Sequence, residues 1–290
     1  MTGAAKTWDV RTGVGATAVV AAAGRAVETH RQDGLLDDPY AEALVLAAGP
    51  PGNVPTRPGG DAEHGNWRAL SDLVGIRGKF FDDAARRAAG FGVRQVVLLA
   101  SGLDTRAHRL DWPAGTVLFE IDQPAVLEFK NQVLRVAGAQ ARCDRRPVPA
   151  DLREGWPDAL RDAGFDPGRA TLWIAEGLLY YLTPDGQRGL LESVHALSAP
   201  GSRWAIEDDP HFLERMDDPE ARASSEALGL DLRSLLGAGA RPDPGEWLRT
   251  HGWIVESRAL RTAANEYGRT LTPVGERVNG PFVLLNARKA

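Results

Sequence analysis

The strongest constraint on this sequence is a regular alternation of apolar runs and helical segments that begins near residue 93. Continuous apolar runs of this length are typical of strands buried on both faces of a parallel sheet. We predict seven strands, at residues 95–100, 117–122, 147–150, 171–175, 203–207, 253–257 and 282–287. Helical segments separate several of them, at residues 124–137, 158–163, 184–197 and 244–251. This order predicts an α/β fold with a doubly wound, mostly parallel sheet.

The segments outside this alternation are predicted to be additions to the sheet. Residues 1–90 are predicted as an N-terminal helical cap, with helices at residues 16–31, 38–48 and 67–89. The linker before the last strand shows no clear helix, and that strand is predicted to be antiparallel. The expected organisation is a single domain over residues 1–290, with the cap at 1–90, a core at 91–207, a helical insertion at 208–243 and the rest of the sheet at 244–290.

Composition excludes several classes of protein. The 290 residues carry a net charge of −5, which argues against binding nucleic acid by neutralising phosphates. A single cysteine, Cys143, excludes an internal disulfide and a cysteine-cluster zinc site, and no spacing of histidines suits a metal. The longest apolar stretches, including residues 14–24, are shorter than the roughly 20 residues a membrane span needs. We therefore expect a cytoplasmic protein that binds no metal, nucleic acid or membrane.

Acidic residues follow four successive predicted strands. These residues are Asp104, Asp122, Asp151 and Glu176. Because ligands in open α/β sheets bind beyond the carboxyl ends of the strands, the four carboxylates should share one rim. Gly102 lies in the turn after the first strand, and Asp122 follows it by 20 positions. A small residue in the turn and a downstream carboxylate suit a nucleoside, whose two ribose hydroxyls the carboxylate can accept.

The turn itself favours a cationic nucleoside over a dinucleotide. A dinucleotide site needs the pattern GxGxxG, whereas residues 101–106 read SGLDTR. Asp104 would face the pyrophosphate and repel it, although Arg106 could offset that repulsion. S-adenosyl-L-methionine suits an acidic rim better, since it carries an ammonium and a sulfonium. Its one carboxylate would pair with an arginine, for which Arg25 and Arg77 are candidates.

Several motifs also match a known family in order along the chain. The longest are VVLLASGLDTRAHRLDWP at residues 96–113, FEIDQP at 119–124 and EGLLYYL at 176–182. Shorter ones are VGATA at 14–18, DPYA at 38–41, FFD at 80–82 after Arg77, PADL at 149–152 and GFD at 164–166. Together they closely resemble the leucine carboxyl methyltransferase-like family, in particular its actinobacterial branch. The resemblance implies S-adenosyl-L-methionine as cofactor and the Rossmann-like class I methyltransferase fold, with helices on both faces of the sheet.

The resemblance further implies roles for individual residues. Asp122 would hold the ribose, Asp151 and Leu152 would contact the adenine, and Gly102 would form the turn. The other implied cofactor-binding residues are Ser101, Gln123, Arg77, Glu176 and, by a looser alignment, Arg25.

Two tyrosines are the candidates for contact with the substrate or the sulfonium. Neighbours on an extended segment face opposite ways, so one of Tyr180 and Tyr181 should line the pocket while the other packs. Tyr181 matches the family and is the better candidate, whereas relatives often carry valine or methionine in place of Tyr180.

Simpler structural roles are also open. Asp122 could cap the helix that begins at Pro124. Asp104 is expected to order the glycine turn, with Arg106 and Arg109 as its partners.

The function we predict is O-methyl transfer to a small molecule. A carboxylate acceptor is favoured because it is ionised at neutral pH and needs no general base. For a hydroxyl acceptor, His211, Glu207 or Asp208 could serve as the base. The alternatives are an NAD(P)-dependent oxidoreductase and a catalytically silent family member that binds the cofactor.

Overall fold

The fold is built on one sheet. The computed structural model describes residues 10–49, 54–209 and 211–290. Within them the strands are β1 (Gln95–Leu99), β2 (Val117–Asp122), β3 (Asp144–Pro149), β4 (Thr171–Ala175), β5 (Arg203–Asp208), β6 (Trp253–Ala259) and β7 (Val283–Lys289). They form a seven-stranded sheet in the order β3-β2-β1-β4-β5-β7-β6. Strands β1 to β5 are parallel, and β7 is antiparallel to β5 and β6, which confirms the predicted sheet.

Helices cover both faces of this sheet and extend beyond it. They are α1 (Gly13–His30), α2 (Ala41–Ala48), α3 (Gly65–Gly90), α4 (Arg106–Arg109), α5 (Pro124–Val136), α6 (Trp156–Asp162), α7 (Pro184–Ala196), α8 (Phe212–Arg215), α9 (Pro219–Ala227), α10 (Leu232–Leu235), α11 (Pro244–Thr250), α12 (Leu260–Glu266) and α13 (Pro273–Asn279). Helices α1, α2 and α3 lie within the predicted cap, and α8 to α10 lie within the predicted insertion after β5. Positions 1–9, 50–53 and 210 of the predicted cap and insertion lie outside the described residues.

Burial on both faces explains the apolar strands. Val96 and Leu98 of β1 pack toward the side covered by α3 and α12. Val97 and Leu99 pack toward the other side, which α6, α7 and α11 cover. Every residue of β1 is buried, as expected for a central strand with helices above and below it.

The third strand was predicted too short at its start. The prediction began at residue 147, whereas β3 begins at Asp144. Only Val148 of β3 is buried, because this strand lies at the edge of the sheet. An edge strand tolerates polar residues and prolines, which lack the N–H that a central strand must donate.

The linker before β7 is helical, contrary to the prediction. It contains α12 and α13. The hydroxyl of Thr272 accepts a hydrogen bond from the backbone N–H of Gly275, and Pro273 occupies the first turn of α13. These are regular helix-start signals that the apolar pattern did not show, because the buried positions of α12 include two alanines, Ala263 and Ala264.

Candidate active site

A cavity of about 1270 Å³ lies where the carboxyl ends of β1, β2 and β4 meet the predicted cap and insertion. All the residues predicted to contact the cofactor or the acceptor line it, namely Arg25, Arg77, Ser101, Gly102, Asp122, Gln123, Asp151, Leu152, Glu176, Tyr180 and Tyr181. Its volume exceeds the roughly 300–1,000 Å³ typical of a pocket for one drug-sized ligand. The cavity therefore has room for a cofactor and a second molecule.

The glycine turn after β1 holds the carboxylate of Asp122. The backbone N–H of Gly102 donates to Oδ2 of Asp122 at 2.6 Å, and that of Gln123 donates to Oδ1 at 2.7 Å. Gly102 has a φ of 47°, and Ala100 has a φ of 51°, which is unusual for a residue with a side chain. Asp122 does not cap α5, whose first turn receives no side-chain cap. Its carboxylate instead faces the turn, and burial raises its pKa.

A buried lysine behind this turn was missed in the sequence. Nζ of Lys130 lies 2.9 Å from the carboxylate of Glu120 and donates to Oγ of Ser101 at 3.2 Å. The side chains of Lys130 and Glu120 are fully buried. The signal was present, since Lys130 occupies the buried face of α5 together with Val126 and Leu127. A charged residue on an apolar face indicates a buried partner.

Helix α1 covers the turn from the cap side. Nε of Arg25 donates to Asp38 at 2.8 Å, and its Nη2 donates to the backbone carbonyl of Leu103 at 2.7 Å. A Cβ on Gly102 would lie 3.7 Å from the Cβ of Ala18. The hydrogen bond from Arg25 to Leu103 and the packing of Ala18 on the turn therefore hold α1 against the end of β1.

Arg77 and Glu176 form the centre of the cavity wall. Nη1 of Arg77 donates to Glu207 at 3.2 Å, and the backbone N–H of Gly177 donates to the same carboxylate at 3.0 Å. Nε of Arg77 lies 3.1 Å from Glu176 but at an angle that makes no hydrogen bond. Among the described residues, this buried N–H has no hydrogen-bond partner.

A second arginine group lies behind Glu176. Arg106 contacts Glu176 at 2.8 Å and also pairs with Asp104, as predicted. Arg109 was predicted to pair with Asp104 as well, but it forms its salt bridge with Asp82 at 2.6 Å, and Arg106 contacts Asp82 at 2.7 Å. Burial alone would raise the pKa of Asp82, but the guanidiniums of Arg109 and Arg106 outweigh it and lower the pKa to about 2.

Asp151 and Leu152 follow the end of β3 and line the cavity. Asp151 accepts hydrogen bonds from the side chain and backbone of Arg153. Its pKa is lowered by the hydrogen bond from the Arg153 side chain. The pair therefore presents a charged and an apolar side chain next to each other.

Both tyrosines line the cavity, so the prediction that only one would do so was wrong. They lie in a single 3₁₀ turn, Leu179–Tyr181, in place of an extended segment, and their ring centroids are 4.8 Å apart. Tyr180 also packs on Phe212 at 4.8 Å and on Phe282 at 6.1 Å. Burial raises the pKa of Tyr181 to about 12 and that of Tyr180 further above its usual value. Both hydroxyls are therefore protonated near neutral pH.

The three side chains considered as general bases lie outside the cavity lining. Glu207 is held by Arg77, Asp208 by Arg241 at 3.1 Å, and exposed His211 contacts Glu214 at 3.2 Å. The lining contributed by the described residues contains no histidine, lysine or cysteine. In the same part of the chain, no group of metal-binding side chains forms a cluster, and no helix is long and apolar enough to span a membrane.

Comparisons with known proteins agree with this arrangement. Residues 18–195 match the model of the family described as leucine carboxyl methyltransferase. A protein of Saccharopolyspora erythraea, provisionally named an S-adenosyl-L-methionine-dependent methyltransferase, is 44% identical over 97% of this chain and 98% of its own length. A similarly named protein of Mycolicibacterium gilvum is 46% identical over 93% of this chain and 94% of its own.

Solved structures show the same fold at low sequence identity. The crystal structure of a DUF574 family protein from Streptomyces avermitilis superposes with a TM-score of 0.55 at 13% identity, covering 93% of this chain and 97% of that one. A methyltransferase, so named provisionally, from Thermobifida fusca gives a TM-score of 0.55 at 19% identity over 94% of both chains. The family match and the relatives also decide against the oxidoreductase alternative. The chain belongs to the leucine carboxyl methyltransferase family of S-adenosyl-L-methionine-dependent methyltransferases.

Proposed function

We propose that this methyltransferase transfers the methyl group to a carboxylate oxygen of a small molecule and so forms a methyl ester. S-adenosyl-L-methionine, when bound, supplies a methyl group on a positively charged sulfur. The acceptor oxygen forms the new bond to carbon, and the electron pair of the broken C–S bond stays on sulfur. The chain's own part is to hold the two molecules in line and to exclude water.

The polar half of the cavity fits the cofactor. Each oxygen of Asp122 accepts one backbone N–H, and a carboxylate can accept about four hydrogen bonds, so capacity is left for two ribose hydroxyls. The guanidinium of Arg77, which lines the cavity, suits the cofactor's carboxylate, and Arg25 lies on the same lining. Glu176 faces the same space and suits the ammonium. Asp151 and Leu152 are assigned to the adenine, and Ser101 and Gln123 flank the residues that hold the ribose.

The engagement of every acidic side chain on the described lining carries the choice of acceptor. Asp104 and Glu176 pair with Arg106, Asp151 pairs with Arg153, and Asp122 accepts two backbone N–H groups, while the described lining holds no histidine, lysine or cysteine. A hydroxyl must lose its proton before or during attack, whereas a carboxylate has lost it at neutral pH. Tyr181 and Tyr180, kept protonated by burial, can donate hydrogen bonds that orient a carboxylate. We assign them to the acceptor side, with Tyr181 as the preferred contact.

A screen identifies the acceptor class. Purified protein and S-adenosyl-L-methionine with an isotope-labelled methyl group are incubated with a library of carboxylic acids, alcohols and phenols. We expect labelled products among the acids only, and mild alkali should release the label as methanol, since it cleaves esters and leaves ethers intact. Labelled ethers from alcohols or phenols would contradict the proposal. Cofactor binding without turnover of any acceptor would indicate the catalytically silent alternative.

The pH dependence provides an independent check. With an acid as acceptor, kcat/KM should stay constant between about pH 6 and about pH 9, because the acceptor is ionised throughout and Tyr181 is not. A tenfold rise per pH unit would indicate removal of a proton from the acceptor or from a base. Initial rates at limiting acceptor concentration distinguish a constant kcat/KM from one that rises with pH. They are measured in buffers of constant ionic strength.

A further inference from the structure

The part of the cavity away from the glycine turn is apolar. We call it the acceptor chamber and define it by Leu70 and Leu73 of α3, by Leu228, Leu232 and Leu235 of the insertion, and by Phe282 before β7. The rings of Tyr180 and Phe282 lie 6.1 Å apart, so the chamber begins directly beside the tyrosines. A molecule whose reacting oxygen lies at the tyrosines would therefore extend its body among these side chains.

Two of the polar side chains in this region are already engaged. Oγ of Ser225 donates to the backbone carbonyl of Leu230 at 2.7 Å, and Nδ2 of Asn279 donates to that of Ala69 at 2.7 Å. The lining drawn from residues 212–282, as far as the structure describes them, holds no charged side chain. A second charge or a set of sugar hydroxyls placed there would lose its hydration without gaining partners, which disfavours phosphates, sugar acids and dicarboxylic acids.

The cavity is long beside α3. This helix lines it with Asn66, Ala69, Leu70, Leu73 and Arg77, which lie on one face of the helix. At a rise of about 1.5 Å per residue, the distance along the helix from Arg77, in the cofactor half, past the chamber's leucines to Asn66 is about 16 Å. An extended chain of about ten carbon atoms, joined by bonds of about 1.5 Å, fits within that length.

From these features we propose that the acceptor is a monocarboxylic acid with a long apolar body, of about ten carbon atoms, that lies in the acceptor chamber. This inference rests on the proposed carboxylate methylation. It adds that the chain recognises the body of the acid by burial of apolar surface. Each CH₂ group placed in the chamber should increase kcat/KM about fourfold, until the chamber is full.

The first experiment tests recognition of the apolar body separately from methylation of the head group. Straight-chain acids, primary alcohols and primary amides of four to twelve carbons are titrated by calorimetry into protein saturated with S-adenosylhomocysteine, and the same compounds are assayed for turnover with the cofactor. Affinity should rise with chain length for all three head groups, while only the acids should be methylated. An affinity that does not depend on chain length would contradict the proposed acceptor chamber. Equal affinity for a monocarboxylic and a dicarboxylic acid of the same length would contradict it as well. Methylation of the alcohols would contradict the proposal that the acceptor is a carboxylate, but it would not contradict the acceptor chamber.

A variant that fills the chamber tests its location. Leu232→Trp should shift the preferred acid toward shorter chains by several carbons and leave the affinity for S-adenosyl-L-methionine unchanged. Leu46→Trp is the matched control, because Leu46 is 68% exposed and lies outside the cavity lining. Leu228→Trp serves as a second variant if Leu232→Trp does not fold, which the cofactor titration reveals. An unaltered chain-length profile in a folded variant contradicts the proposed position of the apolar body.

Discussion

Replacing Asp122 with asparagine is expected to raise the dissociation constant of S-adenosyl-L-methionine about 100-fold. The carboxylate is fixed by two backbone N–H groups and is assigned to the two ribose hydroxyls. A hydrogen bond to a charged group contributes about 1.5–3 kcal/mol, so losing the charge from a pair of them costs about 3 kcal/mol. Calorimetric titration of wild type and variant measures the difference directly.

The same comparison has a pH signature. Because burial raises the pKa of Asp122, its carboxylate takes up a proton at a higher pH than an ordinary aspartate during acidification. As the pH is lowered, the affinity of the wild type for the cofactor should therefore fall toward that of Asp122→Asn. Near neutral pH, the difference in affinity between the two proteins should be at its largest. Asp158→Asn is the control, since this carboxylate is 84% exposed and lies outside the cavity. Less than a threefold change in Asp122→Asn at neutral pH would refute the ribose assignment.

The second large effect concerns stability. Asp82→Asn should lower the free energy of unfolding by about 3–5 kcal/mol, because it leaves the buried guanidiniums of Arg106 and Arg109 without their shared carboxylate. Urea-induced unfolding followed by circular dichroism measures this loss. Arg106 also contacts Glu176, so the variant should bind the cofactor more weakly where it remains folded.

The neighbouring aspartate supplies the matched control. Asp83 lies one position further along α3 and pairs with Lys79 and Arg86 near the surface. Asp83→Asn should change the free energy of unfolding by less than about 1 kcal/mol, as is usual for exposed ion pairs. An equal loss of unfolding free energy in Asp82→Asn and Asp83→Asn would contradict the argument that burial makes the ion pairs of Asp82 important for stability.

The contribution of Asp82 should also depend on pH. Its pKa falls from 3.8 to about 2 on folding, so the folded state favours the charged form. The resulting stabilisation, about 2 kcal/mol, is complete above the unfolded pKa and disappears as the pH falls through the folded value. The stability difference between wild type and Asp82→Asn should thus be constant from about pH 5 to about pH 8 and narrow only below about pH 4.

The sequence was informative wherever burial leaves a periodic pattern. The central strands are buried on both faces and appeared as apolar runs, and the acids that follow them lie where parallel strands must end. Edge strand β3 was predicted less well because it needs few apolar residues. Helices α12 and α13 were missed because small and polar residues on a short helix leave a weak pattern.

The partners of the buried charges could not be predicted in the same way. Arg77 contacts Glu207, which is 130 positions away in the chain. Arg109 pairs with Asp82 and not with Asp104, although Asp104 is nearer in the sequence. Such pairs depend on how helices pack on the sheet, which no local pattern records. Similarly, Tyr180 of the 3₁₀ turn packs against Phe212 and Phe282, which lie 32 and 102 positions further along the chain.

The position of β7 imposes an order on biosynthesis. Strand β7 follows β6 in the chain, yet it lies between β5 and β6. While a ribosome is extending the chain, β6 emerges first and has no neighbour to pair with until β7 has left the exit tunnel. Phe282, which precedes β7 and lines the acceptor chamber, also arrives at this last step. The lining of the acceptor chamber is therefore incomplete in the nascent protein until β7 is inserted, and this is the interval in which a chaperone would be of most use.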